Sequence, residues 1–207
     1  LVPTAAHCLY DPTTGARIDV DDIQFLAGWR NGRASAYRRI RRVVVHPEFD
    51  FSGTSGTDRV QKDLALLELQ LSIRSSAITP FETDMRPDTG DSVGVVSYAH
   101  NRSQAPSLQE TCAVLSRQDG ILVLSCEVDF GSSGSPVFSF DGDKPRIVSV
   151  VSAKAEADGQ PVSLAIWLDG PLAALRSELD AGVGMPSGLQ RLAVGERRET
   201  GAKFVRP

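Results

Sequence analysis

The chain has 207 residues, of which 41% are hydrophobic and 23% charged, and its formal net charge is −4. A chain of this length and composition can bury a substantial core. Its acidic balance gives no electrostatic reason to expect nucleic acid as a partner. No apolar stretch approaches the ~20 residues of a membrane span. We therefore expect a globular protein that neither spans a membrane nor binds nucleic acid.

Short β-branched or aromatic runs, separated by Gly, Pro and Asp clusters, predict many β-strands. They lie at residues 23–29, 41–45, 64–69, 92–98, 121–124, 136–140, 147–152 and 163–167. No helical period intervenes between these runs, which favours a pair of antiparallel barrels over an α/β sheet.

One helix is predicted, near the end of the chain. Asp169 can cap it, Gly170 and Pro171 form its first turn, and Gly182 ends it. Leu172, Leu175 and Leu179 fall on one face of it. The residues after it hold five Lys or Arg against two Glu without apolar periodicity, which predicts a loosely ordered basic tail. The expected division is a first barrel at 1–75, a linker at 76–90, a second barrel at 91–168, the helix at 169–182 and the tail at 183–207.

Three short segments offer the parts of a catalytic triad in the order His, Asp, Ser. His7 lies in TAAHC, Asp63 begins DLALLEL, and Ser133 lies in GSSGSP. A serine hydroxyl is a poor nucleophile at neutral pH, so acyl transfer needs an imidazole to take its proton and a buried carboxylate to fix the imidazole's tautomer. The sequence therefore predicts Ser133 as nucleophile, His7 as general acid and base, and Asp63 as orienter.

The residues beside the predicted nucleophile and orienter suit these roles. Gly131 and Gly134 have no side chains, so nearby backbone N–H groups can turn towards the negative oxygen of a tetrahedral intermediate. We expect the amides of Gly131 and Ser133 to form this oxyanion hole. Asp63 begins an apolar run, as expected for an acid at the mouth of a buried strand, where its charge needs the His7 N–H as partner.

These segments resemble those of the trypsin-like, chymotrypsin-fold serine endopeptidases, and most of all the bacterial branch that includes the glutamyl endopeptidases. TAAHC is highly specific, DLALLEL is moderately specific, and GSSGSP resembles that branch more than the GDSGGP of animal trypsins. The resemblance runs from residue 1 to about residue 180. It implies an all-β fold of two six-stranded-type antiparallel barrels with a C-terminal helix. It also implies a monomeric endopeptidase that acts on protein or peptide substrates through an acyl-enzyme, without cofactor or metal.

The position of the TAAHC segment implies a shortened first barrel. In the family the histidine follows the opening strands of that barrel, whereas here it is residue 7. Cys8 likewise lacks its expected upstream partner. Cys112 and Cys126, on either side of a turn at residues 118–120, then form the expected disulfide across a hairpin, which implies a secreted or periplasmic protein. The alternative is two buried free thiols in a cytosolic protein.

The resemblance leaves two alternatives for the substrate pocket. Glu127 falls where trypsin has the acidic residue at the base of its primary pocket, which favours Lys or Arg at P1. The opposite wall is expected from Ser152, Ala153 and Lys154, with Ser152 as the family's substrate-binding serine, and Lys154 can attract an acidic P1 residue. A different register places Ser149 there instead of Ser152.

A competing interpretation is a catalytically inactive protein-binding module, because a protease fold can persist without its activity. The residue before the predicted nucleophile is Ser132, where zymogen-activated trypsins carry an aspartate. The sequence therefore argues against activation through the ion pair that this aspartate makes with a new N-terminal amine.

Overall fold

The computed structural model describes residues 1–53, 56–84, 87–99 and 101–188. Within these ranges the protein forms eleven β-strands and two α-helices. The strands are β1 (Val2–Ala5), β2 (Gln24–Ala27), β3 (Ala36–Val45), β4 (Leu64–Leu69), β5 (Ser92–Ser97), β6 (Ser107–Gln118), β7 (Ile121–Leu124), β8 (Pro136–Ser139), β9 (Arg146–Ala157), β10 (Gln160–Trp167) and β11 (Met185–Pro186). The helices are α1 (Thr57–Lys62) and α2 (Pro171–Asp180), and short 3₁₀ turns lie at Ala6–Leu9 and Val20–Asp22.

The first lobe is a curled, open sheet. Its strands follow the order β1, β4, β3, β11, and β2 also pairs with β3. All these pairings are antiparallel. The sheet curls around a small apolar core that consists of Ala6, Leu9, Val20, Ile40, Val43, Ala65 and Leu67.

The second lobe is a closed six-stranded barrel in the order β10, β7, β6, β5, β8, β9. Two of its hairpins turn on two residues each, Asp119 with Gly120 (φ 50° and 75°) and Asp158 with Gly159 (φ 51° and 72°). Positive φ at both central residues is the geometry of the type I′ turn, whose twist matches that of the strands it joins. The barrel core includes Val93, Val95, Val114, Leu122, Leu124, Val137, Val148, Val151 and Ala165. The expected all-β fold with a C-terminal helix is thus confirmed.

The predicted disulfide is also confirmed. Cys112 in β6 bonds to Cys126 just beyond β7, with their Cα atoms 4.9 Å apart, while Cys8 is an exposed free thiol. The bond joins two neighbouring strands of the second lobe, as expected for a hairpin that turns at Asp119 and Gly120.

Helix α2 begins one residue later than the predicted cap implied. Its N-cap is Gly170 in a left-handed conformation (φ 77°), and no side chain caps the helix, so the expectation for Asp169 was wrong. Gly182 (φ 81°) follows the C-terminus as predicted, and its N–H donates to Leu179 O at 3.0 Å. The apolar face of the helix packs across both lobes, in a cluster of Val44, Leu64, Leu66, Val150, Ile166, Leu168, Leu172, Leu175 and Leu179.

The first residues after α2 are ordered, whereas a loose tail was predicted from residue 183 onward. Met185 pairs with Val43 of β3, and Ser187 N donates to Arg41 O at 2.8 Å. Gly184 permits this pairing because a Cβ there would lie 2.7 Å from Val44 Cγ2. The rest of the predicted tail, residues 189–207, lies outside the described residues. Among those described, no helix is both long and apolar enough to cross a membrane.

Candidate active site

His7 lies in the 3₁₀ turn that follows β1, at the edge of the crevice between the lobes. Ala5 and Ala6 before it are fully buried, and their small side chains let the turn pack closely on the chain around Asp63. Ala6 N donates to Asp63 O at 3.1 Å. This backbone hydrogen bond therefore holds the segment of His7 against the segment of Asp63.

Asp63 lies between α1 and β4, and it is only 3% exposed. Its Oδ1 accepts from the His7 backbone N–H at 2.8 Å, and its Oδ2 accepts from His7 Nδ1 at 2.6 Å. A third donor, Ser152 Oγ, reaches Oδ2 at 2.6 Å from β9 of the second lobe. A buried carboxylate is costly unless it is paired and hydrogen-bonded, and here one charge is held by donors from both lobes.

The carboxylate also sets the protonation of the imidazole. Burial alone would lower the pKa of His7, but the hydrogen bond and charge of Asp63, aided by the Cys8 thiol, raise it above its ordinary value of 6.5. Because Asp63 accepts at Nδ1, it fixes the tautomer that keeps the proton on that nitrogen. The neutral ring can then accept a proton at Nε2.

The loop around Ser133 is held by its neighbours rather than by its own amide. Ser132 N donates to Asp129 O at 3.0 Å, and Gly134 N donates to Val151 O at 2.8 Å. Over the described part of the chain, the amides of Gly131 and Ser133 have no hydrogen-bond partner. Unpaired N–H groups on a glycine-rich turn can bind a negative oxygen.

The two lobes meet closely at this loop. A Cβ at Gly134, which has a φ of 79°, would collide with Thr4 Oγ1 and lie 3.6 Å from Cys8 Sγ. Only glycine meets both the conformational and the steric requirement at low cost. The missing side chain thus brings the loop of Ser133 against the segment that carries His7.

The Ser133 hydroxyl does not hydrogen-bond to His7 in this structure. It donates to Ser152 O at 3.4 Å, while His7 Nε2 lies 3.7 Å from Cys8 Sγ. Within the described ranges, no hydrogen bond joins Ser133 Oγ to His7 Nε2. Rotation about χ1 moves a serine hydroxyl between staggered wells without moving the backbone. The Cys8 contact was not foreseen, although its position directly after His7 was a signal for it.

Ser152 and Ser149, the alternatives for one pocket position, lie in different environments. Ser152 Oγ binds Asp63, as described above, and faces the crevice. Ser149 Oγ donates to Ile166 O at 2.6 Å, inside the second lobe. In this structure it is therefore Ser152, and not Ser149, that contacts Asp63.

The remaining predicted pocket residues are not all brought together. Glu127 is exposed and lines a cavity of about 230 Å³. The other residues of this cavity are Val95, Ser97, Arg102, Ser107, Leu108 and Gln109. Ala153 is half-buried beside Ser152, and Lys154 Nζ lies 3.9 Å from the ring centroid of Phe130. No sequence motif pointed to Phe130, which is 71% exposed just before the Ser133 loop.

A family model described as trypsin-like peptidase domain matches residues 1–144. The matched stretch contains His7, Asp63 and Ser133, and it ends before β9, which carries Ser152 and Lys154. No match was found among curated proteins.

Proposed function

Because the chain belongs to the trypsin-like peptidase family, we propose that it is a serine endopeptidase with Ser133 as nucleophile, His7 as general acid and base, and Asp63 as orienter. The observation that carries this proposal is the buried Asp63 carboxylate, which holds His7 Nδ1 at 2.6 Å beside the Ser133 loop. A buried acid, an imidazole and a serine in one crevice are the parts that acyl transfer requires.

The proposed reaction begins when the Ser133 hydroxyl turns from Ser152 O to His7 Nε2. Ser133 Oγ attacks the scissile carbonyl carbon while its proton passes to Nε2, and Asp63 stabilises the resulting imidazolium. The amides of Gly131 and Ser133 bind the oxygen that becomes negative. His7 then protonates the leaving amine, which leaves an acyl-enzyme on Ser133. Water, deprotonated by His7, releases the acid product and restores the hydroxyl.

The proposal also covers the substrate pocket, the branch of the family and the cellular location of the enzyme. We place the substrate against Ser152, Ala153 and Lys154 of β9, and we retain Glu127 as the alternative determinant that favours a basic P1 residue. The motif GSSGSP supports a place in the glutamyl-endopeptidase branch. The Cys112–Cys126 disulfide is compatible with an extracellular or periplasmic protein, where such bonds persist. We propose a monomer that needs no cofactor.

A second candidate function, an inactive protein-binding module, is favoured by one observation. Ser133 Oγ donates to Ser152 O instead of His7 Nε2, so the hydroxyl is not poised for deprotonation. Reaction with an organophosphonate serine probe separates the two candidates, because covalent labelling requires an activated hydroxyl.

The test of the proposed function compares two neighbouring serines. Ser133→Ala should abolish phosphonate labelling and lower kcat for peptide hydrolysis by roughly 10⁴- to 10⁶-fold, with an unchanged melting temperature. Ser132→Ala is the matched control, since Ser132 is 1% exposed and its hydroxyl has no part in the proposed chemistry. Hydrolysis that survives in Ser133→Ala and fails in Ser132→Ala would move the nucleophile to Ser132.

A further inference from the structure

The cavity of about 230 Å³ in the second lobe lies where strand β5 of the closed barrel ends. Val93 and Val95 of β5 pack in the barrel core, and Ser97, the last residue of β5, lies on the same inner face because side chains alternate along a strand. The register pairs Val95 with Gln109 and Ser97 with Ser107, and these four residues all line the cavity. The cavity is therefore a mouth of the barrel, a position where small ligands are often bound.

The Ser97 hydroxyl lines this cavity without a protein partner. Ser97 is only 7% exposed. Its carbonyl oxygen accepts from Ser107 Oγ at 3.3 Å, but within the described ranges no hydrogen bond involves its own Oγ. A buried hydroxyl normally has a partner, because an unmade hydrogen bond is costly. Since the hydroxyl lines a cavity that is open to solvent, a molecule that enters the cavity can supply that partner.

Two opposite charges line the same cavity, and neither is paired. Glu127 lies between Cys126, which is disulfide-bonded and fully buried, and Val128, which packs against the barrel core. Arg102 is held over the cavity by a hydrogen bond of 2.9 Å from its Nη1 to Ser107 Oγ. Over the described part of the chain, neither Glu127 nor Arg102 has an oppositely charged partner within 4.0 Å. Both charges are therefore available to a ligand.

We propose that this cavity binds a free α-amino acid with an aliphatic side chain. The ammonium group of the ligand pairs with Glu127, its carboxylate pairs with Arg102, and Ser97 Oγ hydrogen-bonds to one of these groups. The aliphatic side chain contacts Val95 and Leu108, the apolar members of the lining. A simple cation would leave Arg102 unpaired and a simple anion would leave Glu127 unpaired, whereas a zwitterion forms charge-assisted bonds with both.

This site lies apart from the proposed catalytic residues. Its lining includes none of His7, Ser133, Ser152 or Lys154. Glu127 thereby gains a role other than that of a P1 determinant, and the site stands whether or not the chain is an endopeptidase.

The experiment measures binding to the full chain by isothermal titration calorimetry. L-leucine should bind at one site, and leucinamide and N-acetylleucine, which each lack one charge, should bind about 10- to 100-fold more weakly because a hydrogen bond between charged groups is lost. Glycine should also bind more weakly than leucine because it has no side chain to bury. The dipeptide Leu-Leu, titrated into Ser133→Ala so that it cannot be hydrolysed, carries the same charges farther apart. It should bind more weakly than leucine, which separates a free amino acid from a peptide as the ligand.

Variants of the lining locate the ligand. Glu127→Gln and Arg102→Met should each weaken leucine binding about 10- to 100-fold. Ser97→Ala should weaken it several-fold while the melting temperature stays unchanged or rises, because the hydroxyl has no partner in the free protein. Glu110→Gln is the matched control, since Glu110 is exposed on β6 but does not line the cavity. Both Glu110→Gln and Lys154→Met should leave the affinity unaltered.

Three results would overturn the proposal. The first is equal affinity for leucine and for either ligand that lacks a charge. The second is the absence of saturable leucine binding up to about 10 mM. The third is a loss in Lys154→Met as large as that in Glu127→Gln, which would place the ligand in the proposed substrate pocket. Every titration measures binding and none measures hydrolysis, so a failure of the proposed endopeptidase function would leave these results unaffected.

Discussion

The two lobes differ in whether their sheets have unpaired edge strands. The second lobe closes all six strands into a barrel and adds a disulfide, whereas the first is an open sheet whose strand order runs from β1 to β11. Closure leaves no unpaired edge, while an open sheet depends on what covers it. In this protein α2 covers the central strands β3 and β4 of the open sheet, and its leucines pack against both lobes.

The site draws on both lobes. His7 and Asp63 come from the open first lobe, and Ser133 and Ser152 come from the closed second lobe. The Ser152–Asp63 hydrogen bond and the close approach at Gly134 bring these parts together. The closed lobe therefore carries the loop of Ser133, while the positions of His7 and Asp63 depend on contacts across the crevice.

The largest expected effect concerns the carboxylate shared by the lobes. Asp63→Asn should lower kcat/KM by about 10³- to 10⁴-fold, because an amide can hold the imidazole in the wrong tautomer and cannot stabilise its positive charge. Steady-state kinetics with a melting curve checks this. Asp58→Asn is the matched control, since Asp58 is exposed in α1 and pairs with Lys62. Activity above a tenth of wild type in Asp63→Asn would contradict the assigned role.

Loss of the disulfide should lower the stability of the second lobe more than that of the first. Replacing Cys112 and Cys126 by Ala opens a loop of 14 residues and should cost roughly 3 kcal/mol of unfolding free energy. Urea unfolding followed by the fluorescence of Trp167, which packs in the core of the second lobe, checks this loss. Cys8→Ser is the control and should change stability little because Cys8 is an exposed free thiol. Equal losses in both variants would refute this assignment.

A pair of buried serines tests how the lobes are joined. Ser152→Ala removes a hydrogen bond to a buried carboxylate and should cost about 1.5–3 kcal/mol of unfolding free energy together with a roughly 10-fold loss of kcat/KM. Ser149→Ala removes a bond to a neutral carbonyl within the second lobe, so it should cost about 1 kcal/mol and leave kcat/KM unchanged. Chemical denaturation and kinetics on both variants provide the comparison. Equal kinetic losses would show that Ser152 has no special part at the site.

The smallest expected effect is on the pH profile. His7 must be neutral to accept the serine proton. Burial lowers its pKa, but Asp63 and, to a smaller extent, Cys8 raise it above the ordinary value. The acid limb of kcat/KM should therefore lie above pH 6.5, with activity lost as pH falls through the pKa of His7. Cys8→Ala removes one of the groups that raise this pKa, so the limb should move to lower pH. If the acid limb does not move in Cys8→Ala, the Cys8 thiol does not influence the pKa of the His7 imidazole.

The sequence predicted the parts of the fold that local chemistry determines. The Asp-Gly turn at residues 119–120 and the leucine face of α2 follow from turn geometry and helical period, and both were found. Strands β1 and β11 and helix α1 were missed, and the predicted runs also omitted β6, in which polar and charged residues are frequent. β1 contains a proline within four residues, and α1 has six residues without a capping side chain. Such short elements owe their stability to tertiary contacts rather than to propensity.

For the site, the residue types indicated the chemistry but not the contacts. The motifs led to His7, Asp63 and Ser133, whose roles stay predictions. Whether Ser149 or Ser152 faces the crevice depends on the register of β9, which contains irregularities that sequence periodicity does not reveal. The contact between Phe130 and Lys154 likewise required the three-dimensional structure.

The hydrogen bond from Ser152 to Asp63 has a consequence for the newly made chain. It joins residues 89 positions apart, and the bond from His7 to Asp63 spans another 56. Contacts of such long range require large loops to close and so form late in folding. A partly folded molecule, with one lobe complete and the other still open, would lack an oriented base and could not cleave its neighbours. If the proposed function holds, hydrolysis would then begin only when both lobes are in place.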